Sequence, residues 1–253
     1  MLRSFALSVA ASLALAGPVS AQTADEIVSK NIQARGGLEK IKAVKSMKMT
    51  GRMTIGPGQE APVVVEIKRP NKMRLDVTFQ GMTLTQSFDG KQGWVVNPFG
   101  GGSKNAEPMS PEDLKESEEQ ADIDGPLVDW KAKGHKVELV GKEKVEGTDV
   151  YKLKVTLKTG SVRYMFLDAD SYLDIRSEEK RTVRGTEMET EQTIGDYKDV
   201  GGLLIPHSFE SGAKGHPEKQ KITIDKIELN ATVSDDRFAM PAAAKEEPAE
   251  KKK

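Results

Sequence analysis

The sequence predicts a mainly β fold of the α+β type, with about ten or eleven antiparallel strands in one large domain. Two observations carry this reading. Runs of period-two alternation fill both halves of the chain, as where Met73, Leu75, Val77 and Phe79 are set against Arg74, Asp76 and Thr78. Turn signals divide these runs at short intervals, among them Gly56-Pro57-Gly58, Gln80-Gly81 and Thr159-Gly160. Helix signals, in contrast, cluster before the first strand and midway along the chain.

The chain opens with Met1, Leu2 and Arg3, an apolar run over residues 5–16, Gly17-Pro18 and the small triplet Val19-Ser20-Ala21. This is the pattern of a secretory signal peptide over residues 1–21. The run is too short for a bilayer core of about 30 Å, so export with cleavage after Ala21 is expected, leaving a soluble chain in the periplasm or outside the cell. Thr23 and Glu26 form a capping box, and Ile27, Val28 and Ile32 share one helical stripe ahead of Gly36-Gly37. They predict an N-terminal helix with a glycine stop. Leu38, Ile41 and Val44 predict a second short helix.

Strands then begin at Met47, Met49 and Met53 and continue through Val63, Val65 and Ile67. Met82, Leu84 and Phe88 alternate with Thr83, Thr85 and Ser87 after the Gln80-Gly81 turn. In the second half Tyr151, Leu153, Val155 and Leu157 alternate with Lys152, Lys154, Thr156 and Lys158, and Val162, Tyr164 and Phe166 follow. Weaker strands are expected near residues 173–182, 188–194, 203–210 and 221–229. One face of each strand is apolar and the other polar. Between the halves, Ser110, Pro111, Glu112 and Asp113 start a helix that Gly125-Pro126 must kink or divide. Residues 22–240 form the expected domain, and residues 241–253, rich in Ala, Lys, Glu and Pro, an expected disordered charged tail.

Composition narrows the function. With no cysteine there is no disulfide framework, thiolate nucleophile, zinc–thiolate cluster or lipidated cysteine anchor. Lys plus Arg total 38 against 39 Asp plus Glu, which gives no global field for nucleic acid. No Walker A, Gly-x-Ser-x-Gly or His-Glu-x-x-His pattern occurs, and Gly100-Gly101-Gly102-Ser103 reads as a loop. His135, His207 and His216, with Glu210 and Glu218 nearby, share no ligand spacing and read as exposed or turn histidines. No catalytic residue, metal or cofactor is therefore expected. The acidic stretch over residues 112–124 reads as a solvated helix face or as docking ground for a basic partner. Met47, Met49, Met53, Met73 and Met82 suit either ordinary core filling or a cavity that accepts variable alkyl chains.

Lys68-Arg69-Pro70-Asn71, Asp89-Gly90-Lys91, Trp94 and Asn97-Pro98-Phe99, at matching spacing, resemble the LolA/LolB-like family of periplasmic outer-membrane lipoprotein carriers. Phe238 and Pro241 resemble that family's last strand, whereas Met73 stands where the family carries an aromatic residue. The resemblance implies a strongly curved antiparallel half-barrel with helices lying in its mouth as a lid. It implies that Arg69 reaches carbonyls of the lid and latches the empty cavity shut, the alternative being a simple charge at a hairpin end. The lipid-binding lining is then expected from Met47, Met49, Met53, Val65, Ile67, Met73, Leu75, Val77, Phe79, Met82, Leu84, Phe88, Trp94, Leu153, Val155, Tyr164 and Phe166. The implied partners are acyl chains of lipoproteins or other lipid, an inner-membrane donor and an outer-membrane acceptor. A monomeric carrier in the periplasm is expected. A second reading keeps the half-barrel as an envelope lipid-sensing or interaction module without transport. A third, an enzyme, would need His207 or His216 as its catalytic group.

Overall fold

The computed structural model describes residues 22–183 and 186–241, so the expected signal peptide and the tail beyond Pro241 lie outside the described residues. Helix α1 (Ala24–Ala34) begins with the capping box of Thr23 and Glu26. It ends before Gly36, whose φ of +118° and approach to the Gly202 carbonyl leave no room for a side chain: a Cβ there would lie 2.3 Å from that oxygen. Helix α2 (Leu38–Ala43) follows at once.

Strands β1 (Ser46–Gly56), β2 (Gln59–Lys68), β3 (Lys72–Phe79), β4 (Met82–Phe88), β5 (Gly93–Val96) and β6 (Glu107–Pro108) precede α3 (Pro111–Gln120). Strands β7 (Lys136–Val145), β8 (Thr148–Thr156), β9 (Val162–Asp168), β10 (Asp174–Val183), β11 (Thr186–Val200), β12 (Leu203–Ala213) and β13 (Gln220–Leu229) follow it. All belong to one open, curled antiparallel sheet in the order β6-β5-β4-β3-β2-β1-β13-β12-β11-β10-β9-β8-β7. Its 13 strands exceed the number expected from sequence. The strands not foreseen are its two edges. β6 has only 2 residues, and β7 is a charged strand whose alternation is interrupted by a register shift at Leu139/Gly141.

This order has one consequence for function. β6 and β7 are consecutive in sequence but sit at opposite edges of the sheet, so residues 109–135 must cross from one edge to the other. They do so over the inner face, together with α1 and α2. There Ile27 and Val28 of α1 join Leu127 of the crossing segment against Val137, Leu153, Val155, Met165 and Leu167. Ile41 and Val44 meet Val128 and Leu203. Leu114 of α3 and Ala121 pack on Met73 and Phe88. Each large side chain buried this way contributes about 1.5–3 kcal/mol, enough to hold short helices that would not persist alone.

The outer face is covered differently. Beyond β13 the chain returns across the first strands, where Phe238 is fully buried and its carbonyl accepts the Trp94 indole N–H at 2.9 Å. Arg237 bonds Glu66 at 3.0 Å and Asp76 at 3.2 Å, and Lys68 donates to Asp235 at 2.8 Å. Phe238 thus follows a single 3-10 turn (Asp235–Arg237) instead of lying in a last strand, as the sequence had suggested.

Candidate functional site

Arg69 caps the β2–β3 hairpin just beyond the Lys68–Lys72 pair. Its backbone N–H donates to Lys45 O at 3.0 Å, which aims the side chain beneath α2. There Nε donates to Val44 O at 2.7 Å and Nη2 to Ile41 O at 3.3 Å. These carbonyls lie at the C-terminal end of α2, where free acceptors and the helix dipole favour a cation. The remaining guanidinium N–H groups grip both carboxylate oxygens of Asp124, Nη1 reaching Oδ2 at 3.0 Å. Arg69 therefore joins the hairpin, α2 and the crossing segment through one side chain.

Asp124 is only 3% exposed. Lys42 adds a third donor at 3.0 Å, and Arg35 Nη1 holds the Asp124 backbone carbonyl at 3.1 Å. Burial would raise the Asp124 pKa, but hydrogen bonds from Arg69 and Lys42 outweigh it and hold the carboxyl below the ordinary aspartate value. From Glu118 onward the acidic stretch is paired as well, in place of the solvated or partner-docking face read from sequence, whereas Glu112 and Asp113 stay exposed at the helix start. Glu118 meets Lys158 at 2.9 Å, Asp122 meets Lys133 at 2.5 Å, and Glu119 bonds Thr159 and faces Arg163. Asn71 donates to Glu118 O at 3.3 Å from the hairpin side. Beneath this ionic strap lies a charged hollow of about 580 Å³ that includes Arg69, Asp124, Lys133 and Arg163.

Behind Arg69 and α2 lies a second, more apolar cavity of about 220 Å³. Ile41, Val44, Ile123 and Leu127 form its roof, and Met47, Met165, Ile194, Leu203, Ile205 and Phe209 line it from the sheet. Three polar side chains interrupt this lining, Arg35, Asp174 and Tyr197. The Tyr197 hydroxyl donates to the Asp174 backbone carbonyl at 2.8 Å. Asp174 Oδ1 is sealed from solvent and has no hydrogen-bond partner. Burial pushes the Asp174 carboxyl up to about 6 against the opposing fields of Arg35 and Arg163.

Cross-strand register gathers most of the residues expected to bind lipid. Met47, Met49, Met53, Val65, Ile67, Met73, Leu75, Val77, Phe79, Met82, Leu84 and Phe88 share the inner face of β1–β4. Val65, Leu75, Phe79 and Leu84 are only half-buried there, around a core of Met53, Ala61, Val63 and Val77. Met47 reaches the apolar cavity. Leu153 and Val155 also face inward, but beneath α1 as ordinary core.

Three residues lie elsewhere. Leu153 pairs with Met165 and Lys152 with Phe166, so Tyr164 and Phe166 point to the outer face, where Lys152 stands over both rings. Because β9 also carries Met165 and Leu167, its two faces are both apolar and alternation alone misassigns the phase. Trp94 pairs with Ser87 and lies under Arg74 on the outer face. Sequence reasoning missed Arg35, Ile123, Asp174, Ile194, Tyr197 and Phe209. The apolar members carried a weak alternation signal, and Asp174, between Leu173 and Ile175, carried none.

The histidines do not converge. His207 is buried, contrary to the exposed or turn reading, with Nδ1 hydrogen-bonded to Ile205 O at 2.9 Å. His135 Nδ1 accepts the Lys158 N–H at 3.0 Å, and His216 sits beyond β12. Among the described residues no cluster of three or more His, Asp or Glu side chains is arranged to hold a metal ion. Among them, too, no helix is long and apolar enough to cross a membrane.

No family model and no curated protein matches the chain in sequence. Solved structures do match its fold. A LolA superfamily protein from Nitrosomonas europaea superposes with a TM-score of 0.58 at 14% identity, covering 87% of this chain and 98% of that one. A putative outer membrane lipoprotein-sorting protein domain from Vibrio parahaemolyticus gives 0.53 at 14% identity, over 85% of this chain and 95% of that one. A DUF1329 family protein from Desulfovibrio piger gives 0.54 at 13% identity, over 85% of this chain and 97% of that one. The chain has a LolA-like fold.

Proposed function

We propose that this protein is a soluble periplasmic carrier that binds acyl chains of lipoproteins or other lipid on its inner face for delivery to the outer membrane. The observation that carries the reading is the apolar cavity behind Arg69, roofed by α2 and a crossing segment that one guanidinium ties together. Acyl burial yields roughly 0.8 kcal/mol per methylene, so a permanently open apolar trough would hold its cargo too tightly to deliver it. A roof that packs its own Ile41, Val44, Ile123 and Leu127 into the trough opposes this, because cargo must displace them. Arg69 sets how much of the time the roof is closed.

Identifying lipid co-purified with the mature chain by mass spectrometry, and titrating it with an environment-sensitive apolar dye, tests the reading. Lipid in the extract and saturable dye uptake are expected. The absence of both from detergent-free preparations would remove it. The charged hollow at the mouth favours one second reading, an interaction module that uses the same fold without transport. A stable protein partner retained after lipid-free refolding would favour that one.

A further inference from the structure

Asp174 is the one acidic side chain that lines the apolar cavity, and it is placed unlike a structural carboxylate. Buried carboxylate oxygens are ordinarily met by at least one donor each, as those of Asp124 are. Asp174 Oδ1 has none. The Tyr197 hydroxyl gives its proton to the Asp174 backbone carbonyl, and Arg35, which also lines the cavity, turns Nη1 to Asp124 O and makes no hydrogen bond to Asp174 Oδ1. A carboxylate left short of donors in such surroundings is costly. A cargo donor that reached it would recover that cost.

We propose, building on the carrier reading, that this end of the cavity selects cargo whose alkyl chain carries a hydroxyl group, which donates to the Asp174 carboxylate. Charge bookkeeping singles out a hydroxyl. Arg35 and Arg163 already supply the positive field that Asp174 feels, so an ammonium would bring an excess charge into an apolar space at a large desolvation cost. A carboxylate end-group would meet Asp174 as a like charge. A hydroxyl supplies one donor for one bare acceptor and adds no charge, while Met165, Ile194 and Phe209 are left to hold the hydrocarbon.

The test compares two isomers that differ only in the donor, decan-1-ol and methyl nonyl ether, by displacement of an apolar dye from the mature protein near neutral pH. The alcohol is expected to bind about tenfold tighter, the discrimination typical of a site that hydrogen-bonds a hydroxyl. In Asp174→Leu the two should bind alike, with ether affinity kept or raised. Asp174→Asn, nearly isosteric, guards against misfolding and should cut the preference to about twofold, since a neutral amide oxygen accepts more weakly. Equal binding of both isomers by the wild type, or a preference that survives Asp174→Leu, would overturn the proposal while leaving the carrier reading intact. If neither isomer nor the dye binds, the carrier reading falls and this inference with it.

Discussion

Asp124 and Asp174 are two buried carboxylates under the same roof, and their surroundings have opposite effects. Asp124 receives Arg69 through both oxygens and Lys42 besides, and its pKa is held down. Asp174 has an oxygen with no partner, and burial pushes its pKa up. Arg35 stands between them, bonded to the Asp124 backbone and acting on Asp174 only through its field. A carboxylate under this roof can therefore be gripped or left short of donors, depending on whether donors converge. The first arrangement ties the crossing segment to α2 and the hairpin, and the second gives the cavity a polar point that this tie does not use.

The sharpest way to break this contrast is to remove Arg69. Arg69→Leu discards charge-assisted bonds worth roughly 1.5–3 kcal/mol and strands Asp124 on Lys42 alone. The open state gains population, so a bound dye should tighten and leave about ten- to a hundredfold more slowly by stopped flow. Arg69→Lys should be intermediate, because an ammonium cannot span two carbonyls and a carboxylate at once. Loss of thermal stability with an unchanged release rate would reduce Arg69 to a structural charge. The double variant Arg69→Leu with Asp124→Leu should recover much of the lost stability, since the stranded charge goes with its partner, yet keep the slow release.

How far these residues could be read from sequence follows the physics of each. The β1–β4 face was legible because Met47 to Phe88 alternate cleanly and their turns are short, so a single phase satisfies every strand. Arg69 was legible by its motif. The phase of β9 was not, because Tyr164, Met165, Phe166 and Leu167 are apolar on both faces and only the Leu153–Met165 register decides. The edge strands β6 and β7 were missed because an edge need bury little, and β7 carries few apolar residues to mark it. Asp124 and Asp174 were the least legible: one lay in an acidic run that looked solvated and the other in a weak strand. What distinguishes them is who stands opposite, which is set by residues more than 50 positions away for Asp124.

The second prediction concerns pH and separates the two aspartates by sign. Asp174 has a folded pKa of about 6, above its unfolded value. Its contribution to stability is therefore fully present below the unfolded pKa and is lost as the pH rises towards and through 6. Asp124 is depressed, so its contribution is present above the ordinary aspartate range and lost only as the pH falls below it. Asp174→Asn should raise the melting temperature near pH 7, by the equivalent of roughly 1–2 kcal/mol, with the gain shrinking towards pH 4. Asp124→Asn should lower it near pH 7, with the loss shrinking only at still lower pH. Melting curves of the two variants at pH 4 and pH 7 that moved in parallel would erase the distinction drawn here. The groups facing Asp174 are Arg35, Arg163 and Tyr197.

The smallest expected effect is the most direct check on which face carries cargo. Tyr164 and Met49 both sit in central strands and are both half-buried, so composition and burial alone do not tell them apart. Register does: Met49 pairs with Val65 on the inner face, and Tyr164 pairs with Lys154 on the outer one. Tyr164→Ser removes a ring whose neighbours include the Lys152 ammonium at 5.2 Å, a contact worth about 0.5–1 kcal/mol at a partly exposed site. Stability should fall by about that amount and dye affinity should not change. Met49→Ser removes a comparable apolar surface from the proposed lining and should weaken dye binding about five- to tenfold, because a hydroxyl there presents a polar group to hydrocarbon. If Tyr164→Ser weakened binding as much as Met49→Ser, cargo would have to contact the outer face, where the lysines and glutamates of β8 and β10 leave it no continuous apolar surface.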